Sequence, residues 1–257
     1  MKASAVYVEK TLANHPRVAS ILERTSKAPV IYCNHYGEIF NRNNQNFKFQ
    51  KLNPSLILAK KTNNFVLPVP KNYTLDAPGF YFSHMLNCIY DCRYCFLQGM
   101  FNSAHHVLFV NYEDFFNQIK TIYENQGPKL WFFSGYDCDS LALDPITNFS
   151  VEFLDFFKPL KHATLELRTK STQVRALLKN SRAQSNVVCS FSLNPQEIIS
   201  DFEHKTPSLS ARISAANKLL DAGWQVGLRL DPVIVTPKFK ETYGIFLERL
   251  KEEINND

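Results

Sequence analysis

From Gly79 onward the sequence alternates strand-like and helix-like runs five times, and this alternation limits the folds open to the 257-residue chain. Strand-like runs fall at Tyr81–Leu86, Leu130–Ser134, Thr164–Thr169, Val187–Leu193 and Gln225–Leu230. Helix-like runs fall at Tyr112–Asn125, Phe149–Phe157, Thr172–Lys179, Ser208–Ala222 and Phe239–Ile254. The run after Pro207 is the best marked, with Ser208 as its cap and Gly223 as its stop. Repeated βα units predict right-handed crossovers and a parallel sheet. Five units are too few to close an eight-stranded barrel. The expected fold is therefore α/β: a partial (βα) barrel over residues 80–257, with a small N-terminal α/β lead-in over 1–79.

Within the lead-in, AVYVEK reads as a strand, HPRVASILERTSK as a helix and APVIYCN as a second strand. The polar stretch 41–53 interleaves Arg42, Lys48 and Lys51 with Phe47 and Phe49, directly after Phe40. It reads as a β-ribbon with its aromatics in the core, although the same spacing can serve single-stranded nucleic acid. The proline-rich stretch 68–78 reads as a connector.

Side chains alternate across a strand with period two. Glu166, Arg168 and Lys170 share one face of the third barrel strand, Ser190, Ser192 and Asn194 one face of the fourth, and Arg229 and Asp231 one face of the fifth. A fully buried parallel strand is apolar on both faces. Three successive polar faces predict a hydrophilic cavity at the carboxyl ends of the strands, where sites of barrel-like proteins lie. Internal ion pairs such as Glu166 with Arg229 are the competing explanation.

Three of the six cysteines fall within eight residues just after the first barrel strand: Cys88, Cys92 and Cys95, spaced C-x3-C-x2-C. Three thiolates this close can wrap one soft metal centre. A structural zinc site needs a fourth ligand, for which His84, His105 and His106 are candidates. An iron–sulfur cube usually takes four thiolates, so three leave one iron open.

The triplet, with Phe96 after its last cysteine, resembles the cluster loop of the radical S-adenosylmethionine superfamily, and the likeness narrows to the spore photoproduct lyase family. CRYCFLQ, SFSLNP at 190–195, FEHKTPSLSARISAANKLLDAG at 202–223 and VGLRLDPVI carry it, from roughly Ala5 to Ile234. The resemblance implies a [4Fe-4S] cluster on Cys88, Cys92 and Cys95, and S-adenosylmethionine on its open iron. It also implies a 5′-deoxyadenosyl radical and repair of a thymine dimer in DNA. Ser140, Lys170 and Ser192 match cofactor-binding positions, and Asn194 lies on the same face as Ser192. Cys138 matches the hydrogen-donor cysteine, and Tyr94 matches one of two relay tyrosines.

Three departures stand out. Phe96 replaces the second tyrosine and has no O–H to join a relay. The loop GYDCDSLALD is two residues tighter between Cys138 and Asp144. The family continues with a sixth strand and a tail, whereas this sequence stops at Asp257, which predicts an open strand edge with reduced stability or dimerisation through it. In addition, Gly135 is followed by Tyr136, where radical enzymes often have Gly-Glu.

The first twenty residues hold no apolar signal region and no run is long enough to span a membrane, so a cytoplasmic setting is expected. There, clustered cysteines are metal or redox groups more often than disulfides. The +5 net charge permits DNA as a partner. The cluster chemistry implies an electron donor. Three rival readings are a radical enzyme on another substrate, a non-catalytic, zinc-stabilised nucleic-acid-binding protein and an inactive fragment.

Overall fold

Apolar strands joined by amphipathic helices must pair side by side, and here they build two sheets. The fold is given by a computed structural model that describes residues 3–25, 27–70, 77–179 and 182–255. The strands are β1 (Val6–Glu9), β2 (Val30–Cys33), β3 (Leu56–Ala59), β4 (Leu67–Pro68), β5 (Gly79–Phe82), β6 (Met85–Leu86) and β7 (Asp91–Cys92). They continue as β8 (His106–Phe109), β9 (Leu130–Ser134), β10 (Ala163–Thr169), β11 (Val187–Ser192), β12 (Glu203–His204) and β13 (Gln225–Arg229).

The larger sheet is six-stranded, in the order β13-β11-β10-β9-β5-β4. The run from β5 to β13 is parallel throughout, and β4 joins antiparallel at one edge. Successive βα units thus lie side by side, as in an unclosed barrel, with β13 at the far edge. The helices Tyr112–Asn125, Phe149–Phe157, Leu209–Asp221 and Phe239–Glu253 follow the sequence expectation closely. The third is capped by Ser208, whose hydroxyl accepts from the Ala211 N–H.

A second, five-stranded sheet has the order β2-β1-β3-β8-β6. It does not divide from the first at residue 79. It recruits β6 and β8 from beyond that point, while β4 from before it joins the larger sheet. The expected strand 81–86 is therefore split at Ser83–His84, where the chain leaves one sheet for the other. His106–Phe109, which the alternation did not single out, is a buried central strand.

Other expectations are corrected locally. Residues 47–52 form a helix and no ribbon, because Asn46 accepts the Phe49 N–H at 2.9 Å and caps it. Phe40 is buried but Phe49 is 72% exposed, so the aromatics do not all turn inward. The helix expected from Thr172 starts at Arg175. Before it, Thr169 and Ser171 hydroxyls accept the N–H groups of Ser171 and Gln173, holding turns that compete with helix. Within the connector, residues 71–76 lie outside the described residues.

The core between sheet and helices is dominated by Phe82, Phe132, Phe149, Phe153 and Phe157. Phe82 stacks on Phe153 at 5.1 Å. Burying each such ring contributes about 1.5–3 kcal/mol. Among the described residues no helix is long and apolar enough to cross a membrane.

The polar strand faces have two fates. Glu166, 1% exposed, is gripped by Arg229 through Nε and through Nη2 at 2.5 Å, the ion-pair explanation. Ser190 lies opposite Gly227 in register, so that a Cβ on Gly227 would collide with the Ser190 Oγ. Beyond these residues, toward the carboxyl ends, the faces open into a cavity. Gly227→Ala is expected to cost about 1–3 kcal/mol by overpacking, measured by urea denaturation. In a Ser190→Gly background most of that cost disappears.

Candidate active site

A cavity of about 380 Å³ opens at the carboxyl ends of β10, β11 and β13. Cys88, Cys92 and Cys95 line it together with Cys138, Tyr94, Lys170 and Ser192. The cysteine loop is held by backbone and side chain alike. Asn87 adopts a positive φ of 68° and donates its side-chain amide to two carbonyls of the neighbouring segment, at 2.7 Å to Ser103 O and 2.8 Å to His105 O. β7 pairs antiparallel with β12, setting Cys92 opposite Glu203. Lys51 ties the helix Phe47–Leu52 to Asp91 beside the loop.

All six cysteines are free thiols. Burial pushes the Cys88 thiol well above its ordinary value, with Asp139 adding to the effect. Burial likewise moves Cys92 up to about 11, against the pull of Lys170. Such thiols become anions only when a positive centre compensates them. Their donor set suits an iron–sulfur centre, where each thiolate takes its own iron. Among the described residues no three His, Cys, Asp or Glu side chains converge to hold one metal ion. Of the candidate fourth zinc ligands, His84 and His105 are engaged elsewhere. His84 is buried and stacked on Phe149 at 3.7 Å, with Nδ1 3.9 Å from Cys138 Sγ. His105 Nδ1 accepts the Ser55 N–H at 3.0 Å. His106 reaches the cavity wall but is buried, with Nδ1 unpartnered.

Lys170 lies with its Nζ 5.7 Å from the centre of the Tyr94 ring. Ser192 is on the wall, and its carbonyl accepts from Arg212 Nη1 at 2.8 Å. Two expected cofactor residues stand behind the wall. Ser140 is 1% exposed, its Oγ 2.7 Å from Ser134 Oγ. Gly135, at φ 78°, leaves the space: a Cβ there would sit 2.5 Å from Ser140 Oγ. Asn194 is fully buried, donating to Glu203 Oε1 at 2.9 Å and accepting from the Tyr243 hydroxyl at 2.9 Å.

Two acids of the site, one on the wall and one behind it, escaped the sequence reading. Asp139 lines the cavity and accepts from Thr169 Oγ1 and the Lys170 N–H, both at 2.6 Å, and from the Leu141 and Ala142 N–H groups. Burial raises its pKa, although these hydrogen bonds oppose the shift. Glu203 accepts from the Tyr94 hydroxyl at 2.5 Å and pairs with Arg212 at 2.5 Å, both partners of that ion pair being fully buried. Burial disfavours its charge, but Arg212 and Lys170 outweigh burial and hold the carboxyl below its ordinary value. The only sequence signal for this pair is an acid and an arginine nine residues apart across the Pro207–Ser208 helix start.

The model of the family described as spore photoproduct lyase matches residues 5–257. Spore photoproduct lyase of Geobacillus sp. (strain Y412MC61) is 25% identical over 169 residues, covering 65% of this chain and 49% of that protein. Spore photoproduct lyase of Bacillus subtilis (strain 168) is 26% identical over 172 residues, covering 66% and 50%. The chain spans about half the length of the curated relatives it matches. Among solved structures, a spore photoproduct lyase mutant with bound AdoMet and dinucleoside spore photoproduct superposes with a TM-score of 0.85 at 20% identity, over 98% of this chain and 74% of that one. A spore photoproduct lyase complexed with dinucleoside spore photoproduct gives 0.83 at 20% identity, over 98% and 74%. The folds are the same.

Removing Arg212 strands the buried Glu203 charge. Arg212→Ala is expected to lose about 3–5 kcal/mol in urea denaturation. His84 supplies a pH dependence. Burial lowers its pKa from 6.5 to about 3, so the folded protein takes up fewer protons than the unfolded chain in that window. Stability present above 6.5 is therefore lost as pH falls toward 3. Denaturation midpoints recorded across this range should decline for the wild type and decline less steeply for His84→Asn.

Proposed function

The chain belongs to the spore photoproduct lyase family, and from that membership we propose that it binds a [4Fe-4S] cluster on Cys88, Cys92 and Cys95 together with S-adenosylmethionine, and repairs a thymine photoproduct of DNA. The observation that carries the proposal is a single cavity walled by these three free cysteines, Cys138, Lys170 and Ser192. When bound, cluster and S-adenosylmethionine supply a 5′-deoxyadenosyl radical that abstracts hydrogen from substrate.

The protein's own groups bind, orient and exclude water. Lys170 offers a cation to a carboxylate, and Ser192 offers a hydroxyl beside it. Asp139 fixes the backbone at Lys170 by accepting its N–H. Ser140 and Asn194 support the wall from behind, the first by pinning Ser134 and the second by holding Glu203. Ile89, Leu97 and Phe47 give the cavity apolar sides.

Cys138 is suited to return a hydrogen atom. Burial keeps its thiol neutral, and a neutral S–H is the form that can donate to a carbon radical. Tyr94 carries an O–H aimed at Glu203, whereas Phe96 beside it carries none. The cytoplasm is the setting that keeps six thiols reduced, and the cycle draws on an electron donor there.

A second reading is favoured by Phe96 and by the tighter Cys138–Asp144 spacing: the same chemistry on another substrate. Anaerobic reconstitution with iron and sulfide, followed by reduction with ultraviolet-irradiated DNA present, separates the two. The proposal expects both 5′-deoxyadenosine and loss of photoproduct. Formation of 5′-deoxyadenosine with the photoproduct untouched selects the second reading. Cys88→Ala, Cys92→Ala or Cys95→Ala should abolish both products, while Cys138→Ala should retain 5′-deoxyadenosine and lose repair. Stoichiometric zinc with no iron would contradict both readings.

A further inference from the structure

Beside the cysteine cavity lies a second one of about 440 Å³, lined by Tyr81, Phe133, Tyr136, Arg168 and the segment Pro68–Pro70. Tyr136 and Arg168 belong to the walls of both cavities. Three rings run in a row across the boundary. Phe96 lies 5.7 Å from Tyr136, and Tyr136 lies 4.5 Å from Tyr81. Tyr81 pairs in register with Phe133, which carries the row onto β9, where Trp131 stacks on Phe133 at 6.0 Å. Arg168 approaches the Phe133 ring, with Cζ 5.9 Å from its centre.

Aromatic side chains that only fill a core are buried, as Phe82, Phe149 and Phe153 are. Phe96 is 52% and Tyr136 49% exposed, so each keeps about half its surface in water. Leaving two neighbouring rings in water forgoes the burial that rings of this size usually gain. Around them the cavity walls carry the cations Lys51, Lys170, Lys205 and Arg168 beside the acids Asp91, Asp139 and Asp231, with Lys51 paired to Asp91. Exposed rings set among cations are the arrangement that takes unpaired bases: every base has a flat face for stacking, and cations meet the phosphates.

We propose that Phe96, Tyr136 and Tyr81 form a stacking shelf for an unpaired nucleobase, delivering a single-stranded or extruded nucleotide to the cysteine cavity. The shelf rests on the reading of the substrate as nucleic acid. It gives Phe96 a role that needs no hydroxyl, and it gives Tyr136 a role in contact with substrate. A planar group of a peptide is the other occupant of such a shelf, but Lys170 and Lys205 on the cavity wall favour the phosphate-bearing partner.

The test uses the full chain at fixed, moderate salt, with a short single-stranded oligonucleotide carrying one 2-aminopurine, and the same strand with an abasic site at that position. Stacking predicts quenched 2-aminopurine fluorescence on binding and weaker binding of the abasic strand. Tyr136→Ala and Phe96→Ala should each weaken binding of the base-containing strand by roughly five- to a hundredfold, the range for loss of one base–aromatic stack. Tyr136→Phe should retain it, and Phe49→Ala, an exposed ring outside the cavity wall, should leave it unchanged. Equal affinity for the abasic strand, or wild-type affinity in both alanine variants, would overturn the shelf. So would binding of an aromatic anionic peptide with competition stronger than the oligonucleotide. Iron content after reconstitution is read separately in the same samples. Quenching with no iron bound would overturn the radical chemistry and keep the shelf, and iron with no quenching would do the reverse.

Discussion

The buried ion pair between Glu203 and Arg212 ties several segments of the site together. Arg212 also donates to the Ser192 and Pro207 carbonyls and to Thr206, so one guanidinium holds the end of β11, the β12 turn and the helix Leu209–Asp221. Glu203 in turn receives Tyr94 and Asn194 and pairs through its backbone with Cys92. Two fully desolvated charges are costly unless every donor and acceptor is used, and here nearly all are used. The cysteine loop, which has little regular structure of its own, takes its position from this network.

That arrangement divides the site between a wall and its support. Lys170, Ser192, Tyr94, Asp139 and the cysteines line the cavity, while Ser140, Asn194 and Glu203 hold them from behind. A site whose supporting hydrogen bonds are buried and satisfied keeps its geometry without reorganising when ligands arrive. Gly135 belongs to the same logic: its positive φ and missing side chain let Ser140 pack beneath the loop that carries Tyr136 and Cys138.

The sequence made the barrel legible because its signals are local. Period-two runs, amphipathic stretches and the Ser208 cap each lie within a few residues, and the helices Tyr112–Asn125 and Phe149–Phe157 fall where they were read. The cysteine triplet was legible for the same reason. What escaped reading depends on long-range partners. β8 looks like any short apolar run until β3 and β6 flank it. The split at Ser83–His84 follows from two sheets competing for one segment. Asp139 and Glu203 are ordinary acids in sequence, and only burial against Thr169 and Arg212 gives them their place. Period-two reasoning set Asn194 among the polar residues correctly, and the resemblance did the same for Ser140, but neither could separate a wall from the layer behind it.

The central claim is that Cys88, Cys92 and Cys95 hold an iron–sulfur cluster with one iron left for S-adenosylmethionine. Mössbauer spectroscopy of the anaerobically reconstituted wild type, before and after adding S-adenosylmethionine, tests it most directly. The account predicts a four-iron cluster in which one iron changes its spectrum on addition, the other three keeping theirs. A protein that takes up no cluster, or one whose four irons are indifferent to S-adenosylmethionine, would contradict it.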